Sequence, residues 1–169
     1  MSIIIFETER LIVRQPTWAD ADNFYILNSD EDIVRFIRPP RTREESDAKL
    51  KERIENNNED GKGLGGWIAE TKTDNLFVGF LAMFILPGDD EVNLGYSLLK
   101  PQWGKGYATE LARAGVDYGF NKIGLKRMVA TTDPAHVASQ NILLKCGFRQ
   151  IASFVEEGKE LLKFEMVNR

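Results

Sequence analysis

The chain has 169 residues, of which 43% are hydrophobic and 28% charged, and its net charge at neutral pH is −4. Its length suits one domain, residues 1–169, with a sizeable core, and its composition is ordinary for a globular protein. The acidic balance, with no tract rich in lysine or arginine, gives no support to nucleic acid as a partner. The apolar start, residues 3–6, is too short for a signal sequence or a membrane span. The single cysteine, Cys146, excludes an internal disulfide framework and favours a cytoplasmic location.

The first third of the sequence predicts one strand followed by polar helices. Apolar residues over 11–15 predict the strand, and Thr17 is expected to cap a helix with Asp20 at the capping-box position. A second short helix is expected over 31–37, because a pair of prolines follows it. Residues Arg43–Asn56 predict a highly charged helix that covers the surface. Its expected buried residues are Ala48, Leu50 and Ile54.

Residues 61–66, GKGLGG, match the pattern GxGxxG. A dinucleotide-binding fingerprint follows a strand and opens a helix, whereas this segment follows a charged helix and precedes a predicted strand over 67–71. The context therefore favours a flexible connection, and a nicotinamide-dependent oxidoreductase is only a weak alternative.

The remaining sequence predicts strands in quick succession. Two strands, 67–71 and 76–86, flank a turn and form a hairpin. The later expected elements are a central strand over 91–100, a helix after Gly106, a strand Arg127–Thr132, a helix from Pro134 to Cys146 capped by Asp133, and a hairpin of strands 148–155 and 160–167. About seven strands, with helices inserted early and late, indicate an α+β domain.

One stretch of the sequence, residues 93–120, combines a strand, a glycine loop and a helix. An apolar strand over 94–99 leads to Gly104 and Gly106, and a helix pattern follows at once. The N–H groups at a helix start have no partner within the helix, and the helix dipole adds roughly half a positive charge there. Glycine also lets the backbone approach an anion closely, so the unit predicts a phosphate or pyrophosphate site. The expected sheet-facing helix residues are Ala108, Leu111, Ala112, Gly115 and Gly119.

The segment 103–110, WGKGYATE, resembles the acetyl-CoA pyrophosphate loop of the GNAT acyltransferase superfamily, and most closely its ribosomal-protein-alanine N-acetyltransferase branch. The loop of that family has the pattern Gln/Arg-x-x-Gly-x-Gly/Ala. Gly106, Tyr107 and Ala108 fit its second half, and Trp103 stands where glutamine or arginine is usual.

Two further stretches carry the same resemblance. In residues 133–148, Ser139 and Lys145 match the pattern of the branch together with Gly147 and Phe148, while His136 replaces an asparagine. The opening TERL, residues 8–11, is also similar to many members. The three stretches span most of the chain, and they imply a mostly antiparallel sheet of six to seven strands with helices on both faces.

The resemblance also implies how acetyl-CoA is held, with no metal. The glycine loop would bind the pyrophosphate, and the end of the central strand would pair with the pantetheine arm as an added strand does. Backbone N–H groups of Leu94 and Gly95, where the family's central strand bulges, would contact the oxyanion. The implied cofactor-binding residues are Leu98, Leu99, Lys100, Trp103, Gly104, Lys105, Gly106, Tyr107, Ala108, Thr109 and Asn141.

An amine that attacks a thioester needs a proton acceptor, donors for the oxyanion and a proton for the leaving thiolate. Ser139 matches the serine that the branch uses as the proton donor, and a structural hydroxyl is the alternative. Many relatives have a tyrosine where this chain has Leu143, so that donor is missing. Glu91 is the candidate general base. The alternatives are that Glu91 is an exposed carboxylate beside a turn and that the proton leaves through water.

Four other polar residues near the expected site have simpler explanations. Asp133 is better explained as a helix cap, and Glu110 as a carboxylate that favours the helix dipole but could repel a diphosphate. His136, the single histidine, is most simply a solvent-facing residue at a helix start. Cys146 is expected on the buried side of its helix with no base nearby, which favours direct transfer over an acyl-cysteine.

The sequence therefore indicates an acetyl-CoA-dependent N-acetyltransferase that acts on a primary amine, either a protein or peptide N-terminus or a small amine. A catalytically weak acyl-CoA-binding regulatory module is the alternative, because the tyrosine is missing and the asparagine displaced. The acceptor would be determined by the early helices and loops. The partners expected are acetyl-CoA and the acceptor, with no nucleic acid and no membrane, in a monomer or homodimer.

Overall fold

The computed structural model describes residues 2–57 and 61–169. Within these ranges eight strands form one sheet: β1 Ile4–Glu7, β2 Leu11–Arg14, β3 Gly65–Thr71, β4 Phe77–Ile85, β5 Val92–Leu98, β6 Arg127–Thr132, β7 Arg149–Glu156 and β8 Lys159–Val167. The helices there are α1 Ala21–Ser29, α2 Glu31–Val34, α3 Arg43–Asn56, α4 Tyr107–Asp117 and α5 Val137–Lys145. Single 3₁₀ turns, Trp18–Asp20 and Lys100–Gln102, precede α1 and the glycine loop, and a π-helical turn, Tyr118–Ile123, extends α4.

The strands follow the order β1-β2-β3-β4-β5-β6-β8-β7. Neighbouring strands are antiparallel except for β5 and β6, which are parallel. The α+β class and the mostly antiparallel sheet are thereby confirmed, but the expected six to seven strands fall short of the eight in the described chain. The sequence prediction missed β1, an edge strand with no buried residue, because it lacks the apolar–polar alternation of a half-buried strand.

Helices cover both faces of the sheet. On one face α4 packs Leu111 and Ala112 into a core with Leu81 and Leu94 of the sheet. A Cβ atom built on Gly115 would lie 3.3 Å from methyl groups of both leucines, so the predicted small helix face does allow close approach. On the other face the core of α1 and α3 contains Phe24, Leu27, Leu50, Ile68 and Phe77. In the described part of the chain, no helix has the length and apolar character that crossing a bilayer requires.

The charged helix α3 has the predicted bounds, Arg43–Asn56. Its buried residues are Ser46 and Leu50, whereas Ala48, predicted to be buried, is exposed. Ser46 fits the buried face because Asn28 of α1 donates to its hydroxyl over 3.4 Å. The GxGxxG segment ends in the first residues of β3 and opens no helix, as the sequence context predicted.

Two helix boundaries differ from the sequence prediction. Helix α5 begins at Val137, not at Pro134, because the Asp133 carboxylate accepts the N–H of Ala135 over 2.8 Å and forms a separate turn first. Helix α2 ends at Val34, and the N–H of Ile37 bonds to the carbonyl of Val34 in a turn that stops the helix short of the predicted end.

Candidate active site

The parallel strands β5 and β6 diverge and leave a gap in the sheet. In the described chain they pair at Asn93 and Val129, whereas β5 pairs with β4 over its whole length and β6 pairs with β8. Beyond Asn93 the side of β5 that faces β6 is therefore open. The open stretch ends at the glycine loop that precedes α4. This is the region in which the sequence predicted that acetyl-CoA lies.

The register of β5 decides which backbone groups point into the gap. The N–H of Leu99 donates to the carbonyl of Val78, and the β4–β5 ladder has no irregularity. Because an antiparallel ladder bonds every second residue, Gly95 directs its backbone groups toward β4. Leu94 and Tyr96 direct theirs toward β6. Gly95 therefore faces the wrong strand to be an oxyanion donor. Leu94 faces β6, but its N–H is used in the pairing with Val129, because a parallel pair bonds one residue to both neighbours of its partner. The N–H of Tyr96 is the first that this pairing leaves available to the gap.

The glycine loop presents its backbone to solvent. Gly104 and Gly106 have φ of 76° and 82°, in the left-handed region that favours glycine, and both are exposed. The N–H of Glu110 bonds to the carbonyl of Gly106 and is the first intrahelical bond of α4. The N–H groups of Tyr107, Ala108 and Thr109 precede that bond, and they are the donors that a helix start offers to an anion.

The turn between β1 and β2 supports this loop through Thr8 and Arg10. The Glu110 carboxylate accepts from the Thr8 hydroxyl over 2.6 Å, from the Arg10 N–H over 3.1 Å and from Arg10 Nε over 2.8 Å. Arg10 Nη1 donates to the carbonyl of Lys105 over 3.0 Å, and the guanidinium lies 4.3 Å from the ring centroid of Tyr107. Arg10 and Glu110 with Thr8 are called the loop brace below. Sequence analysis missed its role, because no local pattern links residues a hundred positions apart.

The loop brace removes the expected repulsion between Glu110 and a diphosphate. Burial opposes ionisation of this carboxyl, but the hydrogen bonds from Thr8 and Arg10 outweigh burial and lower the pKa of Glu110. The carboxylate is thus ionised at neutral pH and is paired with the guanidinium of Arg10. Its charge is balanced locally and does not face the loop unopposed.

A second hydroxyl accompanies Ser139. The phenol oxygen of Tyr96, on β5, lies 3.4 Å from Ser139 Oγ on α5, and both side chains are partly buried. Burial raises the pKa of Tyr96 to about 12, with the Ser139 contact acting in the opposite direction, so the phenol is protonated at neutral pH. Sequence analysis noted a missing tyrosine at Leu143, which lies in the core with 1% exposure. It overlooked Tyr96 because that residue lies within an apolar strand.

Glu91 is held by two cations. Its carboxylate accepts from Lys163 Nζ over 2.5 Å and also from Arg127, and these bonds lower the pKa of Glu91. Arg127 in turn pairs with Glu165 over 2.7 Å. A carboxylate stabilised in this way is a weaker base than an unpaired one. The role of Glu91 as general base stays a prediction, and the two cations around it disfavour that role.

Several predicted cofactor residues have side chains engaged elsewhere. Trp103 Nε1 donates to the carbonyl of Leu98 over 2.9 Å, which uses one backbone acceptor that the pantetheine arm was expected to meet. The ammonium of Lys100 pairs with Asp30 over 3.5 Å and with Asp32. The side chain of Leu99 packs against the core of α1 and α3.

On α5, Asn141 is exposed. His136 is half-buried and stacks on Phe36 with ring centroids 4.7 Å apart, so it is not the solvent-facing residue that the sequence suggested. Burial lowers the pKa of His136 and raises that of the Cys146 thiol. Because the thiolate is the reactive form, the raised pKa makes Cys146 a poor nucleophile at neutral pH.

A cavity of about 560 Å³ lies at the other end of β5, where the strand begins. Its lining includes Leu64, Val92, Tyr118 and Ile123, and none of the predicted cofactor residues. The open gap beside β5, and not this cavity, therefore contains the groups that the predicted chemistry needs.

Comparison with known proteins gives a family match. The profile described as Acetyltransferase (GNAT) domain matches residues 10–149. The Bacillus subtilis (strain 168) protein named "Uncharacterized protein YkkB" is 31% identical over 146 residues, which cover 84% of this chain and 83% of that protein.

Solved structures share the fold over nearly the whole chain. A GNAT-family acetyltransferase from Bacillus anthracis has a TM-score of 0.84 at 22% identity, and the aligned region covers 99% of this chain and 98% of the Bacillus anthracis chain. The ribosomal-protein-S5-alanine acetyltransferase from Vibrio fischeri has a TM-score of 0.78 at 19% identity, with coverages of 99% and 97%. The spermidine N-acetyltransferase from Vibrio cholerae, in complex with CoA and spermine, has a TM-score of 0.78 at 17% identity, with coverages of 93% and 95%.

Proposed function

This chain belongs to the GNAT family of acetyltransferases, and we propose that it moves an acetyl group directly from acetyl-CoA to a primary amine. The observation that carries the proposal is the gap between β5 and β6, which ends at a glycine loop with exposed helix-start N–H groups. An extended thioester arm fits beside an open strand, and a diphosphate fits a helix start.

Acetyl-CoA would be held mainly by backbone groups. The N–H groups from Gly104 to Thr109 would bind the pyrophosphate, and the loop brace would keep that loop in place. The carbonyl of Tyr96 and the N–H of Leu98, which face the gap, would pair with the pantetheine arm. The spermidine N-acetyltransferase with the same fold is described in complex with CoA, which supports this choice of cofactor.

In the proposed reaction, the nitrogen of the neutral amine attacks the thioester carbonyl and forms the C–N bond. The carbonyl oxygen becomes an oxyanion, for which the N–H of Tyr96 is the candidate donor. Collapse breaks the C–S bond, and the thiolate takes a proton from the hydroxyl pair of Ser139 and Tyr96. The amine loses its proton to water, because Glu91 is already paired with two cations, and water returns a proton to the hydroxyl pair, so that the protons balance.

The alternative function, an acyl-CoA-binding module without catalysis, was suggested by the missing tyrosine. The phenol of Tyr96 beside Ser139 weakens that argument, since it supplies a protonated hydroxyl near the gap. The acceptor class includes protein N-termini and small amines, in keeping with the S5-alanine and spermidine enzymes of the same fold.

Two measurements test the proposal. Calorimetric titration with acetyl-CoA should show saturable binding, and NAD should show none. Thiol release from acetyl-CoA should then rise with at least one member of a panel of amines and N-terminal peptides. Binding without amine-dependent thiol release would favour the regulatory module, and a lack of acetyl-CoA binding would refute both functions.

A further inference from the structure

Three half-buried arginines, Arg38, Arg41 and Arg53, form no ion pair with a carboxylate in the described part of the chain. Other arginines of the same region do. Arg14 pairs with two carboxylates over 2.8 and 2.9 Å, and Arg43 with two over 2.9 and 3.0 Å. Buried or half-buried charges are normally paired, so the three exceptions need an explanation.

Arg38 and Arg41 converge on a single neutral oxygen. Arg38 Nη2 donates to Asn28 Oδ1 over 2.5 Å, and Arg41 Nη1 donates to the same atom over 3.0 Å. Asn28 is 3% exposed and is fixed by its own bond to the carbonyl of Phe24 over 2.8 Å. An amide oxygen cannot balance two positive charges. Burial and the neighbouring charge of Arg41 together lower the pKa of Arg38 to about 10.

Arg53, on α3, has no hydrogen bond to any described residue. Its guanidinium lies 5.8 Å from the ring centroid of Phe80, and its Nε atom is buried without a partner, as is the Nε atom of Arg38. Burial lowers the pKa of Arg53 and the charge of Arg41 acts in the same direction, while the nearby Glu52 opposes both. Because buried N–H donors are almost always satisfied, these atoms are available to an acceptor from outside the described chain.

The three arginines, called the arginine cluster below, lie on the face of the sheet from which an acceptor can reach β5. Phe80 belongs to the core of α1 and α3 and pairs across the sheet with Ser97 of β5. The Phe80 ring and Arg53 Nε both lie close to the Cβ position of Gly66 on β3. Neighbouring strands are about 4.8 Å apart, so the guanidinium lies two to three strand spacings, roughly 10–14 Å, from the gap beside β5. That separation suits the two ends of one small acceptor.

We propose that the arginine cluster binds a carboxylate or phosphate group of the acceptor, so that the substrates are amines with an anionic group several atoms from the nitrogen. The inference rests on the proposed function and names its substrate class. Guanidinium groups bind both anions through paired N–H donors. The same charges repel polycations, so this chain should not accept spermine, the compound bound to the structural relative from Vibrio cholerae.

The test compares two matched acceptor pairs whose amine and anion can lie about 10 Å apart, 6-aminohexyl phosphate with 6-aminohexanol and 8-aminooctanoate with octylamine. The first pair tests phosphate and the second carboxylate. Wild type should prefer the anionic member of at least one pair by about tenfold or more in kcat/KM. Arg53→Gln should abolish most of that preference through KM, and Arg53→Lys should retain part of it. Arg43→Gln is the matched control, because Arg43 lies on the same helix but is already paired with two carboxylates.

Binding of the same four compounds, measured by calorimetry with CoA present, tests the anionic preference without turnover. The inference is overturned if wild type shows no anionic preference in binding, or if Arg43→Gln reduces the preference as much as Arg53→Gln does. Failure of the proposed function has a different signature, namely loss of acetyl-CoA binding or of thiol release with every amine. Thermal unfolding of each variant checks that it is folded.

Discussion

Replacement of Gly106 by valine would test the assignment of the glycine loop to acetyl-CoA. Gly106 has φ of 82°, and a Cβ atom there would lie 3.4 Å from Arg10 Nη2 of the loop brace. A non-glycine residue in the left-handed region costs about 1–2 kcal/mol, and β-branching adds to the strain. If the backbone relieves that strain by rotating, one or more N–H groups leave the phosphate, and a hydrogen bond to a charged group contributes about 1.5–3 kcal/mol. Gly106→Val should therefore weaken acetyl-CoA binding more than tenfold, or by ~1.4 kcal/mol or more.

The assay is calorimetric titration of wild type and variant with acetyl-CoA, together with their thermal unfolding curves. Gly88→Val is the control, because Gly88 has φ of 81°, has no atom within 4 Å of its Cβ position, and lies in the turn before β5. It should lose a similar amount of stability and bind acetyl-CoA as wild type does. Unchanged affinity in a folded Gly106→Val protein would refute the loop assignment, and so would an equal loss of affinity in the control.

Three further predictions follow from the site. Ser139→Ala and Tyr96→Phe should each lower kcat and leave acetyl-CoA affinity nearly unchanged, because the proton is needed only as the thiolate leaves. If both variants turn over at the wild-type rate, the two hydroxyl groups have a structural role. Glu91→Gln should give a pH–rate profile that superimposes on that of wild type, and a shift to higher pH would instead identify Glu91 as the base. The pKa of Glu91 in the folded protein lies below its ordinary value of 4.5, so the ionised carboxylate stabilises the fold above pH 4.5. That stabilisation is lost as the pH falls through the folded pKa. The melting curves of wild type and Glu91→Gln should therefore converge in acid. Arg10→Met should weaken acetyl-CoA binding, because it leaves Glu110 unpaired beside the loop. Adding Glu110→Gln to this variant should restore part of the lost affinity. Unchanged affinity in Arg10→Met would show that the loop does not need the brace.

The parts of the fold that the sequence predicted are those with local signals. Gly104 and Gly106 both have the left-handed backbone that their position before a helix suggested, and α3 has the predicted bounds. Glycine conformations and helix caps depend on a few neighbouring residues, so a sequence carries them directly. The start of α5 was misplaced because Asp133 caps a turn as readily as it caps a helix, and local chemistry does not distinguish the two.

Contacts between distant segments could not be predicted in the same way. Tyr96 becomes a candidate proton donor only where α5 brings Ser139 to within 3.4 Å of it. The arginine cluster looks like ordinary surface charge in the sequence, and its lack of acceptors is visible only once the position of every carboxylate in the described chain is known. Burial and pairing of a charge are properties of the packed structure, whereas composition and periodicity describe single segments.

The loop brace would give the first strand an influence on the proposed binding of acetyl-CoA. Strand β1 is at the edge of the sheet and has no buried residue, so it is a segment expected to open locally before the core does. The turn that follows it holds both Thr8 and Arg10 against Glu110. Opening of this edge would therefore release the loop, and by reciprocity acetyl-CoA would slow the exchange of amide hydrogens in β1. Residues 4–10 would thus support the proposed cofactor site, although they lie outside the loop and helix that would form it.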